Sequence, residues 1–154
     1  MQDRHLHTVL IVEDDASDAK LLLRGFKKAK VLNPIVHLSN GDEALQYLAG
    51  AGRYGDRNKY PLPAVILLDL TMPGMSGIEL MQWMRVQGEI KRIPVVVLTG
   101  DSNPNTVDAA YDLGANSYLV KPGNAVEIAN MVHDIQRYWM GLNEAPQLVV
   151  LGEL

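Results

Sequence analysis

Four short apolar runs rich in β-branched residues are spaced along the chain: TVLIV at 8–12, PIVHL at 34–38, AVILL at 64–68 and PVVVL at 94–98. A weaker run, SYLV at 117–120, follows them. Three of these are almost unbroken in hydrophobicity. That pattern suits central strands of a parallel sheet covered on both faces, whereas a strand with one wet face would alternate. Between the runs lie segments with helix-start signals. Asn40 with Glu43, Ser76 with Glu79 and Asn124 with Glu127 each set a capping side chain three residues before a glutamate, the spacing of the capping box or its asparagine relative. Asn103 before Pro104 is a cap followed by the residue favoured at the first helical position. In the last helix Ile128, Met131, Val132, Ile135, Trp139 and Leu142 recur at three- and four-residue steps and predict one apolar stripe.

The pattern reads β-α five times over, without an internal repeat. Such alternation predicts an α/β fold with a five-stranded parallel sheet and helices on both faces. Right-handed crossovers leave few topologies, and the flavodoxin-like, doubly wound order 2-1-3-4-5 is the first expectation. The longest irregular piece, residues 49–63, contains Gly50-Ala51-Gly52-Arg53-Tyr54-Gly55, a formal G-x-G-x-x-G match. A dinucleotide fingerprint must leave a strand and open a helix; this one trails a helix and runs into prolines. It reads as a surface loop, with partner docking through Arg53, Tyr54, Arg57, Lys59 and Tyr60 as the alternative.

Composition narrows the function classes. The 154 residues suffice for one domain with a substantial core. A net charge of −4 and no basic stripe argue against nucleic-acid binding. The absence of cysteine excludes disulfides, thiolate catalysis and cysteine-based metal sites. No apolar run approaches the roughly 18 residues of a membrane span, and the polar start MQDRHLH lacks a signal-peptide form. The expected setting is cytoplasmic, with no membrane partner.

Polar residues then gather where the topology gives them meaning. In VILLDLTMPGMSG, residues 65–77, Asp69 follows four large apolar residues; a buried unpaired carboxylate there would cost several kcal/mol or become neutral. The first strand ends in Glu13, Asp14 and Asp15, the fourth in Thr99 and the fifth in Lys121. In a doubly wound sheet these strand ends form one rim. Two like charges at about 4 Å cost about 4 kcal/mol at an effective dielectric near 20, and a divalent cation removes that repulsion. An all-oxygen site with few protein ligands suits Mg²⁺. With Lys121 as a cation and Thr99 as a hydroxyl donor, the rim is suited to dianionic oxygens. Phosphoryl transfer needs positioning and charge neutralisation, and a carboxylate can act as nucleophile, so Asp69 is the expected phosphoryl acceptor. Asp15 and Asp18 suit the first turn of the first helix, where negative charge is favoured, and are assigned no chemistry. His5, His7, His37 and His133 share no metal-ligand spacing.

Glu13-Asp14, Asp69, Thr99 and Lys121-Pro122 together resemble the receiver domain of two-component response regulators, over about residues 8–140. The resemblance implies that a sensor histidine kinase phosphorylates Asp69. Glu13, Asp14, Asp69 and the main-chain carbonyl of Thr71 would hold Mg²⁺ or Mn²⁺, and Thr99 and Lys121 would bind the phosphoryl oxygens. Tyr118 would be the aromatic switch residue, moving with Thr99. The Lys121–Pro122 bond would be cis. The domain would be an acceptor that assists its own phosphorylation and dephosphorylation, and not a turnover enzyme. Three positions depart from the commonest pattern. Glu13 replaces an aspartate and, one methylene longer, would reach the metal through water. Ser76 stands where an acid is common, and Gly123 where a large apolar residue is frequent.

Residues 1–143 are the expected receiver, and 144–154 a C-terminal arm in which Leu148 to Leu151 read as strand-like. An exposed segment of that kind is a pairing liability, so the arm is expected to pack on a second subunit in a homodimer, with folding against its own chain or disorder as the alternative. The expected stand-alone build, the long loop before the third strand and the arm together resemble the single-domain regulators that partner bacterial and cyanobacterial phytochromes. Three rivals remain: a receiver fold kept only as a non-phosphorylated interaction module; a haloacid-dehalogenase-type phosphatase, whose D-x-D would require an acid at Thr71; and a flavodoxin-type electron carrier, whose phosphate loop would fall on the acidic EDDASD.

Overall fold

A computed structural model of the chain describes residues 7–148. Five parallel strands, β1 (Val9–Val12), β2 (Ile35–Leu38), β3 (Val65–Leu68), β4 (Val95–Thr99) and β5 (Ser117–Val120), form one sheet in the order 2-1-3-4-5. They alternate with α1 (Ala16–Lys28), α2 (Gly41–Ala49), α3 (Gly77–Arg85), α4 (Pro104–Asp112) and α5 (Ala125–Ile135). The flavodoxin-like expectation is met.

The near-continuous apolar runs have the anticipated cause. Along β1, β3 and β4 successive side chains feed two different cores. Leu10, Val12, Ile66, Leu68, Val95 and Val97 pack with Tyr47, Leu48, Leu80, Met81, Met84 and Ala110 from α2, α3 and α4. Val9, Ile11, Val65, Leu67, Val96 and Leu98 pack with Leu22 and Phe26 of α1 and Ile128, Val132 and Ile135 of α5. The edge strands β2 and β5 are only half-buried, which is why their runs are weaker.

The caps form as spaced. Asn40 and Asn124 accept from the Glu43 and Glu127 amides, Ser76 and Glu79 close a reciprocal capping box, and Asn103 caps α4 with Pro104 in its first turn. Ser76 therefore has the capping role expected of it.

Two expectations need correction. First, the single stripe does not run to Leu142. Beyond α5 the chain widens into π-helical turns, Gln136–Leu142, with the Asn143 amide bonded to the Tyr138 carbonyl. Bonds of that i→i+5 type fit more residues into each turn, so the phase slips: Met140 is buried and Leu142 is 66% exposed. Second, the Lys121–Pro122 bond is trans, as are all peptide bonds among the described residues. The trans isomer is the intrinsically favoured one before proline, and Lys121 reaches the acids from it.

Residues 49–63 do more than cover the surface. Gly50 takes a left-handed φ of 68° and stops α2. A 3₁₀ turn, Gly52–Gly55, then buries Tyr54 against Tyr47 and Tyr60 at ring distances of 5.1 and 5.0 Å. The Arg57 guanidinium donates to the carbonyls of Tyr47, Leu48 and Tyr60, which occupies one of the five side chains that together suggested docking. After the π-helical turns the chain folds back on itself. Leu148 packs on the α2–α4 side of the core, and Ala145, Pro146 and Leu148 line one pocket with His7, Leu62 and Ala64. Residues 149–151 of the anticipated strand-like arm lie outside the described residues.

Candidate functional site

The carboxyl ends of β1, β3 and β5 carry Glu13, Asp69 and Lys121, and sheet hydrogen bonds continue through all three. The Glu13 amide donates to Leu38 carbonyl at 3.0 Å, the Asp69 amide to Val12 carbonyl at 3.0 Å, and the Lys121 amide to Thr99 carbonyl at 2.8 Å. The parallel register that pairs Val12 with both Leu38 and Leu68 therefore sets the first two side by side. Their positions are fixed by the ladder, not by a flexible loop.

Side chains complete the cluster. Lys121 Nζ contacts Glu13 Oε1, Asp18 Oδ2 at 2.9 Å and Asp69 Oδ2 at 3.2 Å. The second oxygen of Glu13 accepts from the Asp15 amide at 3.3 Å, and Asp69 Oδ1 from the Thr71 amide at 3.0 Å. His37 Nε2 donates to the Glu13 main-chain carbonyl at 2.9 Å. Glu13 and Asp69 are buried, while Asp14 is exposed. Oxygens of Glu13, Asp14 and Asp69 all lie within 4.8 Å of one another. An all-carboxylate donor set at that spacing fits a hard divalent cation.

The electrostatics follow from this crowding. Burial, and then the hydrogen bond and charge of Asp69, push the Glu13 carboxyl up to about 8, although Lys121 pulls it the other way. Burial alone would lower the Lys121 ammonium. Its bonds to Glu13 and Asp18 and the charges of Asp69 and Glu13 outweigh that and hold it above its ordinary value. The site is short of positive charge, and Lys121 carries most of the compensation.

Beside this cluster Thr99, the last residue of β4, and Tyr118, on β5, both bond to the loop after β4. The buried Thr99 hydroxyl accepts from the Asp101 amide at 3.5 Å, and the Tyr118 hydroxyl donates to the Asp101 carbonyl at 2.5 Å. Burial, then the charges of Asp101 and Asp69, raise the Tyr118 phenol above its usual value. Gly77, at the start of α3, is required by proximity: a Cβ there would stand 2.6 Å from the Asp69 carbonyl oxygen and 2.7 Å from Leu70 Cα.

Asp18 was the residue missed. It lies in the first turn of α1, as expected, yet also binds Lys121. A usable signal existed: Glu13, Asp14, Asp15 and Asp18 fall within six residues at one rim, where the sequence supplies one lysine.

The family model for the response regulator receiver domain matches residues 9–133. The chain belongs to that family. Phosphorylation on aspartate is the general activity of receivers, which act as acceptors and not as ordinary enzymes. Among its relatives, this receiver is 35% identical over 132 residues to Response regulator Rcp1 of Synechocystis sp., covering 86% of this chain and 88% of that one. It is also 35% identical over 141 residues to the Probable methanogenesis regulatory protein FilR2 of Methanothrix harundinacea, covering 90% and 86%. Of solved structures, the Mn²⁺-bound form of Rcp1 superposes with a TM-score of 0.83 at 33% identity, over 92% of this chain and 99% of that one. The phosphorylated cyanobacterial phytochrome response regulator RcpA gives 0.86 at 30% identity over the same shares. The receiver thus closely resembles phytochrome-associated stand-alone regulators. No helix of the described residues is long and apolar enough to cross a membrane.

Proposed function

We propose that residues 1–143 are a receiver that takes a phosphoryl group on Asp69 from a sensor histidine kinase, and that a phytochrome-type sensor is that kinase. The carrying observation is the contact of Lys121 Nζ with both Glu13 and Asp69 beside three carboxylates spaced for one cation. Glu13, Asp14, Asp69 and the Thr71 carbonyl would hold Mg²⁺ or Mn²⁺. When bound, the ion supplies charge neutralisation and orientation of phosphoryl oxygens. The Mn²⁺-bound Rcp1 structure supports this assignment by similarity.

In the transfer, an Asp69 carboxylate oxygen forms a bond to phosphorus as the phosphorus–nitrogen bond of the donor phosphohistidine breaks and its electron pair stays on the ring nitrogen. Lys121 offsets charge on the transferred oxygens, and Thr99 offers its hydroxyl to one of them. The added charge of about −1.5 to −2 draws Thr99 and Lys121 inward. Tyr118, tied through Asp101 to the loop that Thr99 begins, carries the change to the α4–β5–α5 face. The same groups assist hydrolysis of the acyl phosphate. A homodimer, with the C-terminal arm contributing, fits the apolar character of residues 149–151, although Leu148 packs on its own chain.

The test is incubation of the parent and Asp69→Asn with a small acyl-phosphate donor and Mg²⁺, read by intact mass. The parent gains one phosphoryl mass, which chelation of the metal prevents. An equal gain in Asp69→Asn refutes the assigned acceptor.

A further inference from the structure

Lys121 Nζ has three protons and three carboxylate partners, Glu13, Asp18 and Asp69. Its hydrogen-bonding capacity is therefore full before any phosphoryl group arrives. For Lys121 to reach a phosphoryl oxygen on Asp69, as proposed above, one of these bonds must be given up. The partners are unequal in what that release costs. The Glu13 side chain is 2% exposed, so releasing it would leave a buried acid without its ammonium. Asp69, 7% exposed, ceases to be an acid in the acyl phosphate but still offers Lys121 a buried carbonyl acceptor, which is costly to leave unmet. The Asp18 side chain is 35% exposed and can be rehydrated where it stands. It also sits on α1, a different element from the one that carries the acceptor.

We propose that Asp18 is a positioning residue that competes with the phosphoryl group for Lys121. In the unphosphorylated receiver it takes the third proton of the ammonium and holds Lys121 toward α1. On phosphorylation, the phosphoryl oxygen takes that place and Asp18 turns to water. Asp18 so biases the receiver toward its unphosphorylated state, acting through Lys121 and not by touching the acceptor. The inference rests on Lys121 as the phosphoryl contact.

The test uses beryllium fluoride with Mg²⁺ as the phosphoryl mimic, with affinity read by titration calorimetry on the whole chain. Asp18→Asn is expected to bind about three- to tenfold tighter than the parent, the size of a half-exposed charge-assisted contact. Asp18→Glu, which keeps the charge, stays within about twofold of the parent on the same reasoning. Asp15→Asn removes an equal charge one turn away and retains an oxygen for the Asp18 amide, so it leaves affinity unchanged. Unchanged or weaker binding in Asp18→Asn overturns the proposal, as does an equal rise in Asp15→Asn, which would mark a bulk charge effect. Undiminished binding in Asp69→Asn would instead sink the acceptor assignment beneath it.

Discussion

Replacing Lys121 with methionine keeps the stem that packs against the rim and removes the ammonium from three carboxylates. Burial and Asp69 already push the Glu13 carboxyl up to about 8 against the pull of Lys121, so Glu13 carries less of the charge pairing than the other two acids. The loss falls on Asp69 and Asp18. At 3.2 Å the Asp69 pair is worth about 5 kcal/mol at an effective dielectric near 20. Relief from burying the ammonium offsets part of that, and the Asp18 pair adds little because its side chain is 35% exposed. The net cost is then about 3 kcal/mol, the low end for breaking a buried pair. A divalent cation on Glu13, Asp14 and Asp69 should replace the missing charge. At a hundredfold excess over its dissociation constant it returns about 2.7 kcal/mol. Urea unfolding in chelator and in excess MgCl₂, followed by far-ultraviolet dichroism, measures both quantities. The variant should be about 3 kcal/mol less stable than the parent without metal, and the deficit should narrow with metal, because the parent, whose ammonium already offsets the same acids, gains less from the ion. A deficit that is the same in both conditions would refute the claim that Lys121 and the metal neutralise the same charges.

Two further outcomes follow from the packing. Met140→Ala should cost about 2–5 kcal/mol in urea unfolding, whereas Leu142→Ala should stay within about 0.5 kcal/mol; the reverse order would contradict the π-helical phase slip. Burial, with smaller contributions from Tyr54 and Tyr60 and opposed by Arg57, pushes the Tyr47 phenol up to about 12. The protonated ring is thus favoured by folding, so its contribution is whole below the ordinary value near 10 and disappears as pH rises through 12. Tyr47→Phe, which loses the bond to the Pro61 carbonyl, should be about 1 kcal/mol less stable at neutral pH, with a shallower fall between pH 10 and 12 than the parent.

What the sequence revealed and concealed divides by interaction range. Central strands declared themselves because both faces of β1, β3 and β4 are buried, so every position but Thr99 at the end of β4 is apolar. Caps declared themselves because the bond from Ser76 to the Glu79 amide spans three residues. The rim was legible because a parallel register converts strand ends into neighbours. The π-helical turns were not, since an apolar residue stands at both 140 and 142 and a helical count selects the wrong one. Nor was the role of Arg57, whose bonds close α2 from nine and ten residues away. Asp18 illustrates a third case. Its local explanation, an acid in a first turn, was correct, and that sufficiency hid a contact 103 residues distant.

Charge accounting at the rim also indicates how a local event could travel. Lys121 is anchored by its backbone to Thr99 and by its ammonium to three acids carried by β1, α1 and β3. Tyr118 lies three residues earlier on the same strand and is bonded to Asp101, which is bonded to Thr99 and also accepts, through its side chain, from the amide of the α4 cap residue Asn103. On the proposed reading, a new dianion beside Asp69 therefore acts on both ends of one closed circuit: the ammonium that terminates β5 and the hydroxyl that terminates β4. The two strands are hydrogen-bonded neighbours through Thr99 and Val120, so neither end can shift without bearing on the loop between β4 and α4. The core beneath is packed on both faces and resists deformation. The least constrained response is movement of that loop, whose 3.5 Å bond to the Thr99 hydroxyl is the longest in the circuit, together with Tyr118, which is bonded to it.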